Sequence, residues 1–114
     1  VIVECDRAAL VSALRGMTSV NERYSARVSF SVAEGELVVS ARDSDGSRNA
    51  RAAIAAALTG KPFRGGINAQ YLIAALSTSK AERVRIEAVV ERDWSSMLLV
   101  LDENGGEVVM GMRP

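Results

Sequence analysis

Apolar and polar residues alternate along most of this chain, and twice the alternation gives way to helical spacing. Val1 to Cys5 reads as a short apolar strand. Asp6 can cap the helix that follows, where Leu10, Leu14 and Met17 recur at helical spacing and Ala9 and Ala13 fill in. Arg15 falls on the polar side with Ser12 and Ser19. Gly16 and Thr18-Ser19 weaken the helix, so its end is expected near residue 18. Ala26, Val28, Phe30 and Val32 then alternate with polar residues as a half-buried strand. Ala33-Glu34-Gly35-Glu36 turns the chain into a return strand through Leu37, Val39 and Ala41, and Asp45-Gly46 marks the next turn.

Residues 48–58 carry a conflict. Their alanines favour a helix, yet Ala50, Ala52, Ile54, Ala56 and Leu58 also occupy one face of a strand. Further on, Pro62 to Ile67 reads as a strand entering a helix that Asn68 can cap, with Leu72, Ile73 and Leu76 as its buried stripe and an end near Ser77-Thr78-Ser79. Val84, Ile86, Ala88 and Val90 alternate as a strand. Met97 to Leu101 is a nearly continuous apolar strand, Asn104-Gly105-Gly106 turns it, and 107–112 closes the chain.

The element order is strand, helix, three strands, repeated once: residues 1–58, then 62–114. That repetition decides the conflict, because the first copy needs its last strand at 48–58. The expected fold is α+β, a duplicated β-α-β-β-β unit with two helices packed on antiparallel sheets.

Composition narrows the chemistry. At 114 residues the chain has the size of a single domain, 1–114, with 48% hydrophobic and 25% charged residues. It opens on Val1 rather than Met, as a segment of a longer protein would. No apolar run approaches a membrane span and no signal-peptide pattern opens it, so the expected location is cytoplasmic. There is no histidine, which removes His-based triads and the commonest metal ligand. Cys5, the single cysteine, suits a small buried hydrophobe. Asp43/Asp45 and Asp102/Glu103 sit beside glycine in turn-like sequence and read as turn residues. The expectation is no enzyme, no metal and no cofactor. A net charge of zero argues against strong nucleic-acid binding by the whole chain, although Arg7, Arg15, Arg23 and Arg27 outnumber Glu22 between residues 7 and 27.

The tail Val108-Val109-Met110-Gly111-Met112-Arg113-Pro114 is a short apolar strand ending on a cation. Its methionines suit a surface that accepts several apolar ligands, and an ordinary edge strand is the plainer alternative. Here the chain resembles a known family: the third, C-terminal domain of the bacterial replicative sliding clamp, the beta subunit of DNA polymerase III. Gly66-Ile67-Asn68-Ala69-Gln70-Tyr71-Leu72-Ile73-Ala74-Ala75-Leu76 is similar to the family's Phe/Ile-Asn-x-x-Tyr-Leu-x-x-x-Leu. The tail to Arg113 is similar to its terminal Val-Met-Pro-Met-Arg, and Val20-Asn21-Glu22-Arg23 to the segment after its first helix. Gly111 replaces the family's proline and Pro114 its final leucine; proline at 111 would hold the segment extended, and glycine loosens it.

The resemblance implies the DNA-clamp fold and a non-catalytic role in DNA replication. In the family, six such domains in a homodimer encircle duplex DNA, with the helices lining the hole and contacting it without sequence preference. Arg15, then Arg7, would face the DNA here; an ordinary solvated arginine is the plainer reading of each. The family's groove, shared with the second domain, takes clamp-binding motifs of polymerase and repair proteins. Its third-domain wall would be Asn68, Tyr71, Val108, Val109, Met110, Met112 and Arg113, with Asn68 equally readable as a plain cap and Met97 as core. The alternative is a clamp-fold dimerisation or ligand-sensing domain of a MerR-type transcriptional regulator, motivated by Gly111, Pro114 and the neutral charge.

Overall fold

The computed structural model describes residues 1–18, 27–42, 49–78, 80–91, 94–102 and 105–112. Their order is β1 (Ile2–Asp6), α1 (Arg7–Thr18), β2 (Arg27–Ala33), β3 (Gly35–Arg42) and β4 (Asn49–Thr59). The second copy follows as β5 (Phe63–Asn68), α2 (Ala69–Ser77), β6 (Arg83–Glu91), β7 (Trp94–Asp102) and β8 (Gly105–Met112). This is the duplicated unit expected from the hydrophobic pattern.

The conflict over 48–58 resolves as a strand. Along Asn49–Ala56, β4 pairs with every residue of β3, and its last four residues pair with β1. Its side chains alternate accordingly. Arg51, Ala53, Ala55 and Ala57 are exposed, while Ile54 and Leu58 are partly buried and Ala56 is buried. Tertiary pairing overrides alanine's helix preference here.

Each copy forms a four-stranded sheet in the same order, β1-β4-β3-β2 and β5-β8-β7-β6, and two antiparallel seams join them into a closed barrel. One seam pairs β2 with β5, from Arg27↔Asn68 to Val32↔Phe63. The other pairs β1 with β6, from Ile2↔Glu87 to Asp6↔Arg83. Closure leaves few open strand edges.

Element ends differ slightly from the sequence reading. Gly105 already pairs with Asp102, so β8 begins at Gly105 rather than Glu107, and β7 begins at Trp94 rather than Met97. The turn at residues 33–36 is a tight one: Ala33 pairs with Glu36 across Glu34-Gly35, and Gly35 supplies a φ of 85° that a side chain would disfavour. Asp45-Gly46 and Val20–Arg23 lie outside the described residues.

The two helices pack against each other, α1 over β3 and β4 and α2 over β5 and β8. Leu10 and Leu14 from α1, and Leu72 and Leu76 from α2, enter one core with Val3, Phe30, Val32, Phe63, Ile67 and Ile86. Phe30 and Phe63 meet edge to face at 5.8 Å between ring centres. A small cavity of about 20 Å³ remains where Leu10, Leu14 and Leu72 approach the sheets, lined only by hydrocarbon.

Candidate functional site

The candidate groove is built where β5 runs into α2. Asn68, the last residue of β5, has extended backbone (φ −77°, ψ 112°) and caps the helix. Its Oδ1 accepts hydrogen bonds from the backbone N–H of Gln70 at 3.0 Å and of Tyr71 at 3.3 Å. Two of the four unpartnered N–H groups of the first turn are thereby satisfied, and the orientation of that turn is fixed. Tyr71 projects from it with 68% of its surface exposed. An aromatic ring so exposed at a fixed position is unusual on a solvated helix and is suited to contact another molecule.

The last described strand, β8, comes to the same place. Within β8, Met112 pairs with Gly66 and Gly111 with Ile67, the two residues just before Asn68. On its other edge β8 pairs with β7, Val108 with Leu99, Val109 with Leu98 and Met110 with Met97. Since α2 also packs against β8, the backbone brings Gly111 and Met112 beside the junction at Asn68, although about 40 positions separate them in sequence, and Val108–Met110 lead back from there along β7. Arg113 lies outside the described residues.

The two DNA-facing candidates differ from one another. Arg15 is exposed in the last turn of α1, on the stripe that also carries Ala8 and Ser12, where a cation favours the helix dipole. Arg7 is half-buried. Its Nε donates to the carbonyl of Ala81 at 2.6 Å, and its backbone N–H donates to the carbonyl of Glu82 at 2.8 Å. Arg7 therefore ties the start of α1 to the connection leading into β6. No local pattern could have announced this bond, because its partner lies 74 residues away.

Cys5 is fully buried, and loss of solvent pushes its thiol up to about 11, against a smaller opposing pull from Arg83 and a small push from Asp6. Among the described residues no three Cys, Asp or Glu side chains come close enough to hold a metal ion. Asp43, Asp45 and Glu103 lie outside those residues, and Asp102 ends β7. Among the described residues no helix is long and apolar enough to cross a membrane.

Comparison with known proteins now bears on the same geometry. Residues 1–113 match the family model described as DNA polymerase III beta subunit, C-terminal domain. The chain belongs to that family. Its structure superposes on the Caulobacter crescentus beta sliding clamp with a TM-score of 0.86 at 21% identity, covering 99% of this chain and 30% of that one. A Pseudomonas aeruginosa sliding clamp with ligand gives 0.85 at 25% identity, covering 99% and 31%. A Bartonella birtlesii clamp bound to griselimycin gives 0.85 at 20% identity, covering 99% and 30%. The chain thus spans about a third of the length of the clamps it matches. No curated protein matches it by sequence. The sliding-clamp family consists of non-catalytic processivity factors of DNA replication, and this chain has the fold of one clamp domain.

Proposed function

We propose that this chain is the third domain of a longer, dimeric sliding clamp, that it helps to encircle duplex DNA, and that its Tyr71 cleft holds clamp-binding peptides of polymerase and repair proteins. The observation that carries the reading is Tyr71, 68% exposed on a capped turn beside the strand that ends the chain. A flat aromatic body with a polar tip, next to a segment containing two methionines, suits peptides with varied apolar anchors. The griselimycin-bound relatives supply a chemical probe for it. On the ring side, the exposed stripe of α1 is small and uncharged apart from Arg15, which suits sliding: diffuse charge holds DNA without fixing a register.

One wall of the family's groove belongs to a neighbouring domain, so this chain by itself should bind weakly. In NMR titrations a clamp-binding peptide is expected to shift Tyr71, Met110 and Met112, and Tyr71→Ala should weaken binding about tenfold or more. Unmoved resonances at millimolar peptide would count against the cleft. The regulator reading is not favoured, since the matched family is that of the clamp's C-terminal domain. Reading the parent gene upstream of Val1 tests it directly: clamp-like domains there support the ring, and a helix-turn-helix supports the regulator.

A further inference from the structure

Four neighbouring strands of the closed barrel, β4-β3-β2-β5, differ sharply in charge from the other four. Strands β2 to β5 carry four arginines (27, 42, 51 and 64) against one carboxylate, Glu36. The other four strands carry six carboxylates against two arginines. From Gly46 to Ala81 the chain contains no Asp or Glu at all. An overall charge of zero conceals this polarity.

On the outer face of these basic strands, the register aligns a track of donors. Arg64 on β5 lies opposite Ser31 on β2. In the adjacent row, Ser29 on β2 lies opposite Ser40 on β3, and Ser40 lies opposite Arg51 on β4. Ser29, Ser31, Arg51 and Arg64 are exposed and Ser40 is half-exposed. Gly66 stands opposite Ser29, Val38 and Ala53 complete the row of Arg64 and Ser31, and Trp94 on β7 lies on the other side of Arg64.

We infer that this face binds the phosphodiester backbone of a nucleic-acid strand, on the side of the barrel away from the helices. Guanidinium and hydroxyl groups are the side chains that hold phosphate oxygens without reading sequence. Three strand spacings separate β5 from β4, about 14 Å, the length of about four charges along one strand of a duplex. A peptide fits less well. Peptide recognition by strand addition needs an open strand edge, and β2 and β3 are paired on both edges there. The site is separate from the Tyr71 cleft and from Arg15, and its failure would leave the proposed function standing.

The test is fluorescence anisotropy of a labelled random-sequence duplex, and of its single strand, across a salt series. The double variant Arg51→Ala/Arg64→Ala is expected to weaken binding about tenfold at low salt and to reduce the salt slope by about 2. Arg85→Ala, on the acidic strand β6, is the matched control and should leave both unchanged. Equal loss in the control, or no binding by the intact chain at low salt, overturns the proposal. So does loss in Arg15→Ala with the double variant intact, which would assign all nucleic-acid contact to the helix face. Tighter binding of polyglutamate than of duplex, lost in the same double variant, also overturns it and assigns the track to an acidic protein.

Discussion

The two halves of the barrel share a scaffold and differ in what they show to solvent. Asp6 and Asn68 each end a strand and cap a helix, Asp6 accepting from the N–H of Ala9 at 3.0 Å and Asn68 from Gln70 and Tyr71. Four residues after each cap comes a buried leucine, Leu10 or Leu72, and four residues further another, Leu14 or Leu76. Three residues after each cap the copies part: a half-buried alanine, Ala9, in the first and exposed Tyr71 in the second. The capped helix and its buried stripe are what the fold requires, so both copies keep them. Tyr71 is exposed, and its place in only one copy accords with the binding role proposed for it.

The largest effect should fall on what the copies share. Leu14 and Leu76 are both 0% exposed, and truncating either leaves a cavity beneath its helix. Leu14→Ala and Leu76→Ala should each cost about 2–5 kcal/mol, read as the shift in a urea midpoint. Both should unfold the whole chain in one transition, because two seams bind the sheets. A biphasic curve in either variant would mean that the halves fold separately.

A difference inside the core gives the next effect. One residue before each cap the copies bury Cys5 and Ile67, both 0% exposed. Only the thiol titrates. Its folded value is raised to about 11 from 9.0, so the neutral form is the one the fold holds. The stability from Cys5 is full below pH 9 and is lost as pH rises toward 11, by about 2–3 kcal/mol. Cys5→Val, which makes this site hydrocarbon as in the other copy, should flatten that part of the stability-pH curve. A slope equal to that of the natural chain would show that other groups cause the loss.

The seams solve one packing problem in two ways. Ile86 lies opposite Val3 in the β1–β6 seam, and Phe30 lies opposite Gly65 in the β2–β5 seam. Phenylalanine fits because glycine leaves room: a Cβ at position 65 would stand 2.7 Å from the Phe30 ring. Gly65→Ala should therefore destabilise by about 1–3 kcal/mol, and Phe30→Leu should relieve part of the loss in the double variant. Additive effects in that cycle would remove the ring as the cause. This pairing also marks the limit of the sequence. Strand periodicity was visible even where alanines favoured a helix at 50–57, because alternation and duplication agreed there. Asn68 and Asp6 were legible as caps from residue type and place. The Phe30–Gly65 contact, the Arg7–Ala81 bond and the serine–arginine track depend on cross-strand register, which no single segment encodes. Tyr71 was singled out through family resemblance, since its own helix turn offers no pattern that distinguishes a contact residue from a core one.

The smallest effect separates the caps themselves. Asp6→Ala removes one hydrogen bond to α1, and Asn68→Ala removes two to α2. Each should cost about 1 kcal/mol of stability, the second somewhat more, and thermal melts can order them. Their consequences beyond stability should differ. Asn68 aims the turn that carries Tyr71, whereas Asp6 aims a turn that carries Ala9. Asn68→Ala should therefore weaken peptide binding at temperatures where the chain is still fully folded, and Asn68→Asp, which keeps the acceptor, should restore it. Asp6→Ala should leave that binding unchanged. Equal binding by all three variants would show that Tyr71 is held by its packing alone, and that the two caps serve only the helices they begin.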